Sequence, residues 1–247
     1  MSSILSILLF LLSFSAFGFD HDHTVLSKIL SESLKVDGAQ TLVNYKQLKK
    51  TPRQLDAYLE TLSSLKKSEY DRFTRDQKLA LMINAYNAFT LKLMRDAWPV
   101  KSIRDLGSLF TNPWKKEFFK LLGQERHLDW IEHEVIRKEF NEPRIHFAVN
   151  CASIGCPTLR QEAFIASKLD SQLEEQAKIF LNDESKNTIK NGKSYLSKIF
   201  EWYGDDFIKE EKNILIVLNQ WRDDKFQESS KIDYLDYDWA ANSFESN

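Results

Sequence analysis

The sequence predicts an α+β fold: a helix-dominated single globular domain with a small, largely antiparallel sheet. Three observations lead there. Only 7 Gly and 5 Pro occur in 247 residues, too few to turn an all-β chain many times. Long stretches repeat apolar residues at helical spacing between capping signals. Two tight-turn signals, Gly123-Gln124 and Asn191-Gly192, each separate a pair of short stretches that read as hairpins. With 43% apolar residues, 17 Phe, 8 Tyr and 6 Trp, the chain can bury a sizeable core. With 34 Lys+Arg against 36 Asp+Glu it has no bias toward polyanions, so no nucleic-acid partner is expected.

Residues 1–18 read as a signal peptide. The segment carries no charged side chain, its apolar stretch is shorter than a membrane span, and Ala16 and Gly18 are small residues before a cut at Phe19. A periplasmic or secreted chain follows as the expectation, with no membrane span after removal of the leader. The processed start, Phe19-Asp20-His21, offers an α-amine, two amides and an imidazole, a set that suits Cu(II) or Ni(II). The bland reading, a solvated tail over Asp20-His21-Asp22-His23, is preferred.

Residues 19–247 are read as one domain, with a helical extension over about 24–73. Thr51-Pro52-Arg53-Gln54 opens a helix to about Lys66, and Thr74-Arg75-Asp76-Gln77 opens a longer one to about Trp98, stopped by Pro99. The longer helix is apolar on two neighbouring faces and should be central and buried. Glu117 to Leu128 reads as a hairpin, and Asp129-Trp130-Ile131-Glu132 as a capping box for a helix ending near Phe140. Arg144 to Asn150 reads as an inner strand, Pro157 to about Leu181 as a long helix, and 187–196 as a second hairpin. Asp205 to Trp221 reads as a helix, and Ile232 to Trp239 as strand-like.

The segment from Arg144 to Pro157 holds residue types that packing alone does not ask for. As a strand it puts His146 and Asn150 on one face with the small Ala148 between them, and as a helix it pairs them at i, i+4. Cys156 precedes a first-turn proline at the start of the expected long helix, where the helix dipole would favour a thiolate. Gly155 leaves room for a carbonyl beside the helix N–H groups. The resulting candidate machinery is Cys156 as nucleophile, His146 as base, and Asn150 or Glu132 orienting the imidazole.

Three alternatives stand beside it. Cys151 and Cys156 can form a short-loop disulfide in an oxidising compartment, His146 can be a satisfied buried residue, and Glu132 can be a capping residue. His133, His146, Cys151 and Cys156 are zinc-ligand types, but their spacing fits no common finger, so no metal and no cofactor is assigned. Asn84 and Asn87, poor helix formers on a buried helix, either bond neighbouring backbone or line the same cleft. Cys151, His133, Asn84, Asn87 and Arg160 complete the candidate cleft. The aromatic stretch Ile199 to Tyr203 reads as core rather than as a ligand stack, and the Asp236-Tyr237-Asp238-Trp239 end as solvated rather than as a cation site.

Several motifs resemble the domain of unknown function 547 family: Met82 to Leu91, Ile131-Glu132-His133, Arg144 to Cys151 with Cys156 to Arg160, Leu196 to Tyr203, and Tyr237-Asp238-Trp239. The resemblance spans about 74–242. It implies that His133, His146, Cys151 and Cys156 belong to a family pattern, and it implies no reaction. Three functional classes follow: a thiol-dependent hydrolase or acyl transferase acting on an amide, peptide or thioester; a non-catalytic ligand- or peptide-binding module with a structural Cys151–Cys156 disulfide; and redox exchange through Cys151 and Cys156, disfavoured because C-x₄-C differs from the C-x-x-C of thioredoxin-like thiols. Either of the first two takes a small molecule or peptide as partner. The oligomeric state is not legible.

Overall fold

At the centre lies α5 (Arg75–Ala97), buried on all sides from Leu79 to Leu91, as a helix apolar all round must be. The computed structural model describes residues 18–108, 111–208 and 213–245; apart from Gly18, the expected leader lies outside the described residues. The Thr74 capping box is formed. Gln77 N–H donates to Thr74 Oγ1 at 3.2 Å, and Thr74 N–H donates to Gln77 Oε1 at 2.9 Å.

In chain order, α1 (Thr24–Ser33), β1 (Leu34–Asp37), β2 (Gln40–Val43), α2 (Tyr45–Lys50), α3 (Arg53–Ser64) and the single turn α4 (Lys67–Tyr70) precede α5. The hairpin β1–β2, with Leu34 opposite Val43, corrects the purely helical reading of 24–73. Its turn is Gly38-Ala39, with Gly38 at φ 61°. Residues 19–23 correct the solvated-tail reading. His23 is buried and its Nδ1 lies 2.8 Å from the Tyr58 hydroxyl, while the His21 and Phe73 rings meet edge to face at 4.3 Å.

After α5 come the expected hairpin β3 (Phe119–Leu121) and β4 (Gln124–Arg126), then a π-helix over Trp130–Ile136 that runs on into α6 (Arg137–Glu139). Helix α7 is Leu169–Leu181, and β5 (Thr188–Lys190) pairs with β6 (Lys193–Leu196) through the Asn191-Gly192 turn. Helices α8 (Lys198–Phe207) and α9 (Ile214–Leu218) follow, and β7 (Ile232–Tyr234) joins β6 in parallel. The architecture is α+β with three small, mostly antiparallel sheets. One apolar cluster surrounds α5, and a second gathers Phe147, Phe180, Phe200, Phe207, Leu218 and Trp221. Among the described residues no helix is long and apolar enough to cross a membrane.

Four local expectations are corrected. Pro143–Phe147 is a 3₁₀ turn, not the start of a strand. Pro143 fixes φ and lacks an N–H, and Glu142 Oε1 accepts the Arg144 N–H at 3.2 Å. The long helix begins at Leu169, because buried side chains hold 157–165 out of a helix. Asn150 Nδ2 donates to Pro157 O at 2.7 Å, Gln176 Nε2 to Thr158 O at 2.8 Å, Thr41 Oγ1 to Leu159 O at 2.7 Å, and Gln172 Nε2 to Ala163 O at 2.9 Å. Asp129 forms no capping box; the Trp130 N–H goes instead to His127 Nδ1 at 3.1 Å. The helix expected over 205–221 is two: Ser197 caps α8 through the Ile199 N–H at 3.3 Å, and a kink falls at Tyr203.

Candidate functional site

Because 130–136 winds as a π-helix without a side-chain cap, Glu132 is free of the capping role and turns into the protein. It is buried beside the phenols of Tyr86 on α5 and Tyr203 on α8. Burial and then the Glu132 charge push both phenols well above their ordinary value, so both remain donors. π-Turns of this kind are frequent at functional sites.

Above Glu132 opens a cleft of about 310 Å³. Its inner end is formed by Asp129, Glu132, His133, His146 and the Cys151–Cys156 disulfide. Its walls are aromatic: Trp202 and Trp239 stack at 5.8 Å, Tyr237 lies 4.6 Å from Trp239, and Trp114 meets Trp239 edge to face at 5.8 Å. Among the described residues that line it there is no Lys or Arg. Two carboxylates therefore face an aromatic enclosure; His133 Nε2 lies 3.9 Å from Asp129 Oδ1, and Arg137 stands behind the lining, within reach of the Glu132 charge.

One wall is set by an ionic chain. His146, stacked on Tyr203 at 4.3 Å, points Nε2 at Asp206 Oδ2 across 2.7 Å. Arg137 grips the same carboxylate at 2.6 and 3.0 Å, and its Nη1 lies 3.1 Å from His133 Nδ1. Burial opposes ionisation of Asp206, but the hydrogen bonds from His146 and Arg137 outweigh it and hold the carboxyl well below the usual range. The ionised carboxylate accepts, so Nε2 of His146 carries the proton that it donates.

The disulfide lies under the Tyr237 ring. Cys156 is fully buried and Cys151 is half-buried. The Tyr237 hydroxyl is 3.2 Å from each sulfur, and the Cys151 N–H donates to Cys156 Sγ at 2.9 Å. A C-terminal strap holds this loop from outside. Ile154 N–H donates to Ala240 O and Gly155 N–H to Asp238 O, both at 2.8 Å, and Asn242 N–H donates to Ala152 O at 3.1 Å. Gly155 is required here, since a Cβ would come within 2.9 Å of the Tyr237 ring.

Of the residues expected from the sequence, Glu132, His133, His146, Cys151 and Cys156 line the cleft. Asn84, Asn87, Asn150 and Arg160 are not among its lining residues. Asn84 holds the backbone of Phe164 by two bonds, 2.7 and 2.9 Å, and Asn87 spans Ala148 O at 2.9 Å and Asn150 N at 2.8 Å. Asn150 is a loop clamp on Pro157 O and Ala152 N. Arg160 lies elsewhere, bonded to Glu162 and Glu175. The expected assembly of Cys156, His146 and Asn150 is corrected: the thiols are joined, no helix begins at Cys156, and His146 and Asn150 serve different partners. Among the described residues no group of three or more His, Cys, Asp and Glu is placed to hold a metal ion.

Sequence reasoning missed Asp206, Asp129, Tyr86, Trp114 and the aromatic wall. Trp202 and Tyr203 were expected in the core and Tyr237 and Trp239 in solvent, yet all four line the cleft. A signal was present, since Tyr86, Trp202, Tyr203, Tyr237 and Trp239 all fall within the family-like motifs.

Residues 70–181 match the model of a family described as Protein of unknown function, DUF547. The matched segment contains α5, the π-helix and the disulfide loop; the aromatic wall from α8 and the C-terminal strap lies beyond it. No curated protein and no solved structure matches the chain.

Proposed function

We propose that this chain, which carries a DUF547-family domain, is a binding protein for a small organic cation, taken up in the aromatic cleft above Asp129 and Glu132. The observation that carries the reading is the pairing of two carboxylates with an enclosure of Trp and Tyr rings and no lining Lys or Arg among the described residues. A cation over Trp or Tyr faces gains about 0.5–2 kcal/mol per good contact, and the carboxylates add direct charge attraction in a partly desolvated site. The volume is at the small end of ligand pockets, which suits an alkylammonium head on a modest apolar body.

The other class, a thiol-dependent hydrolase or acyl transferase, needs a free Cys156 thiolate and a base beside it. The disulfide, the full burial of Cys156 and the engagement of His146 Nε2 with Asp206 favour the binding reading. A periplasmic or secreted setting is part of the proposal, supported by the leader-like segment 1–18 and by a disulfide. The expected N-terminus of the exported chain is Phe19; an N-terminus at Met1 on the exported protein would overturn that part.

The test of the binding reading is titration of tryptophan fluorescence with tetramethylammonium, a neutral monosaccharide and acetate. Saturable change with the cation alone is the expected result. Saturation by the sugar or by acetate, with none by the cation, would replace it.

A further inference from the structure

The two cysteines are not equivalent. Cys151 is half-buried and lines the cleft, whereas Cys156 is fully buried. An incoming group therefore meets Cys151 Sγ. The backbone donor, by contrast, favours Cys156: the Cys151 N–H donates to its sulfur at 2.9 Å, while the Tyr237 hydroxyl lies 3.2 Å from each sulfur. Tyr237 is half-buried, and desolvation raises its phenol well above the ordinary value and keeps it a donor.

The loop does not depend on the disulfide for its path. Residues 152–155 are tied to the C-terminal strap by the three backbone bonds to residues 238, 240 and 242, and Cys156 N–H closes on Ser153 O at 3.1 Å. All of these are backbone bonds, and none of them involves a sulfur. A cross-link whose loop is already held is redundant as a staple, and its position in a cleft under a hydroxyl calls for another use.

We propose that the Cys151–Cys156 pair is a thiol–disulfide exchange site, in which a substrate thiol attacks Cys151 and Cys156 departs as the hydrogen-bonded thiolate. In the first step the substrate thiolate forms a bond to Cys151 Sγ, the Cys151–Cys156 bond breaks, and its electron pair moves to Cys156 Sγ. That sulfur keeps the Cys151 N–H and gains full use of the Tyr237 O–H. Such donors stabilise the leaving thiolate, and a better leaving sulfur accelerates exchange. In the second step the other thiol of a dithiol substrate attacks its own sulfur in the mixed disulfide and releases Cys151. The dithiol is oxidised to a disulfide by two electrons, both cysteines are reduced, and the two substrate protons end on the cysteines. An external disulfide reverses the sequence and restores the starting state. The inference does not depend on which ligand fills the cleft, because a neutral dithiol suffices as probe.

The native protein is equilibrated in buffers of reduced and oxidised dithiothreitol without denaturant, with intact mass and circular dichroism read in parallel. Full reversible reduction with an unchanged spectrum is expected. A disulfide that reduces only in urea at unfolding concentrations would overturn the proposal. The direction of attack is read in single-cysteine variants treated with a neutral aromatic disulfide. Cys156→Ser, which keeps Cys151, should form the mixed disulfide at least about tenfold faster than Cys151→Ser, following exposure. The reverse order would overturn the assignment. Tyr237→Phe should raise the pH at which the Cys156 thiolate forms in the reduced protein and slow reduction of the disulfide; an unchanged thiolate titration would remove Tyr237 from the mechanism. Because the first measurement uses the unaltered chain, it decides the main claim even if a variant fails to fold.

Discussion

His146 donates through Nε2 to Asp206 Oδ2 across 2.7 Å, and Arg137 holds both oxygens of the same carboxylate. One carboxylate thus fixes a ring on the cleft wall to a helix that follows the π-turn. Asp206→Asn removes a charge that balances Arg137 and weakens both contacts. With the carboxylate a quarter exposed, the cost should be about 1–2 kcal/mol. Urea denaturation measures it. Pairing the change with Arg137→Met in a double-mutant cycle should show non-additivity, since the two residues share one interaction.

Asn84 and Asn87 each satisfy a backbone donor and a backbone acceptor in distant, buried segments. Replacing either with Leu keeps the helix and the volume but leaves those groups without a partner. A loss of about 2–4 kcal/mol is expected for each. Thermal or chemical denaturation is the check, and hydrogen exchange should show faster opening around Phe164 for the first and Asn150 for the second.

His23 is buried against Tyr58, and burial lowers its pKa to about 4, despite the opposing pull of Asp20. A histidine with a depressed folded-state value is protonated first in the unfolded chain. Its contribution is therefore fully present above the unfolded value of about 6.5 and declines as pH falls toward 4. The full decline is on the order of 3 kcal/mol. Stability of the native chain minus that of His23→Gln should shrink steadily from pH 7 to pH 4 in urea titrations; a constant difference would contradict the assignment.

Gly155→Ala places a methyl 2.9 Å from the Tyr237 ring, and the neighbour that must move is a packed aromatic. Over-packing of this kind costs about 1–3 kcal/mol. Because Tyr237 touches both Trp202 and Trp239, displacement should also alter tryptophan fluorescence. An unchanged emission spectrum would show that Tyr237 yields without disturbing the wall.

Elements announced by local chemistry were legible in the sequence: the Thr74 capping box and the Gly123 and Asn191-Gly192 hairpins appear as expected. The Gly38-Ala39 turn, preceded by Asp37, carried the same kind of signal, but it lay within a stretch read as helical. What escaped was set by distant partners. Residues 157–165 look helical in isolation, yet Thr41, Asn150, Gln172 and Gln176 take their backbone groups. The residue types His146, Cys151 and Cys156 marked the right loop, while the role of Asn150 depended on a regular strand or helix from His146 to Asn150, and neither forms. The aromatic wall joins Trp114, α8 and the chain end, and no periodicity links segments so far apart. Asp206 was invisible for the same reason, being 60 residues from His146 in the chain.

The central claim is that the cleft selects positive charge, and the most direct measurement is calorimetric titration with choline and with its uncharged isostere 3,3-dimethylbutanol. The pair has the same shape and differs in charge alone. The native chain should bind choline at least about tenfold more tightly, a difference of about 1.4 kcal/mol, and Asp129→Asn should reduce that preference. Equal affinity for the two ligands, or a preference unaffected by Asp129→Asn and Glu132→Gln, would contradict it.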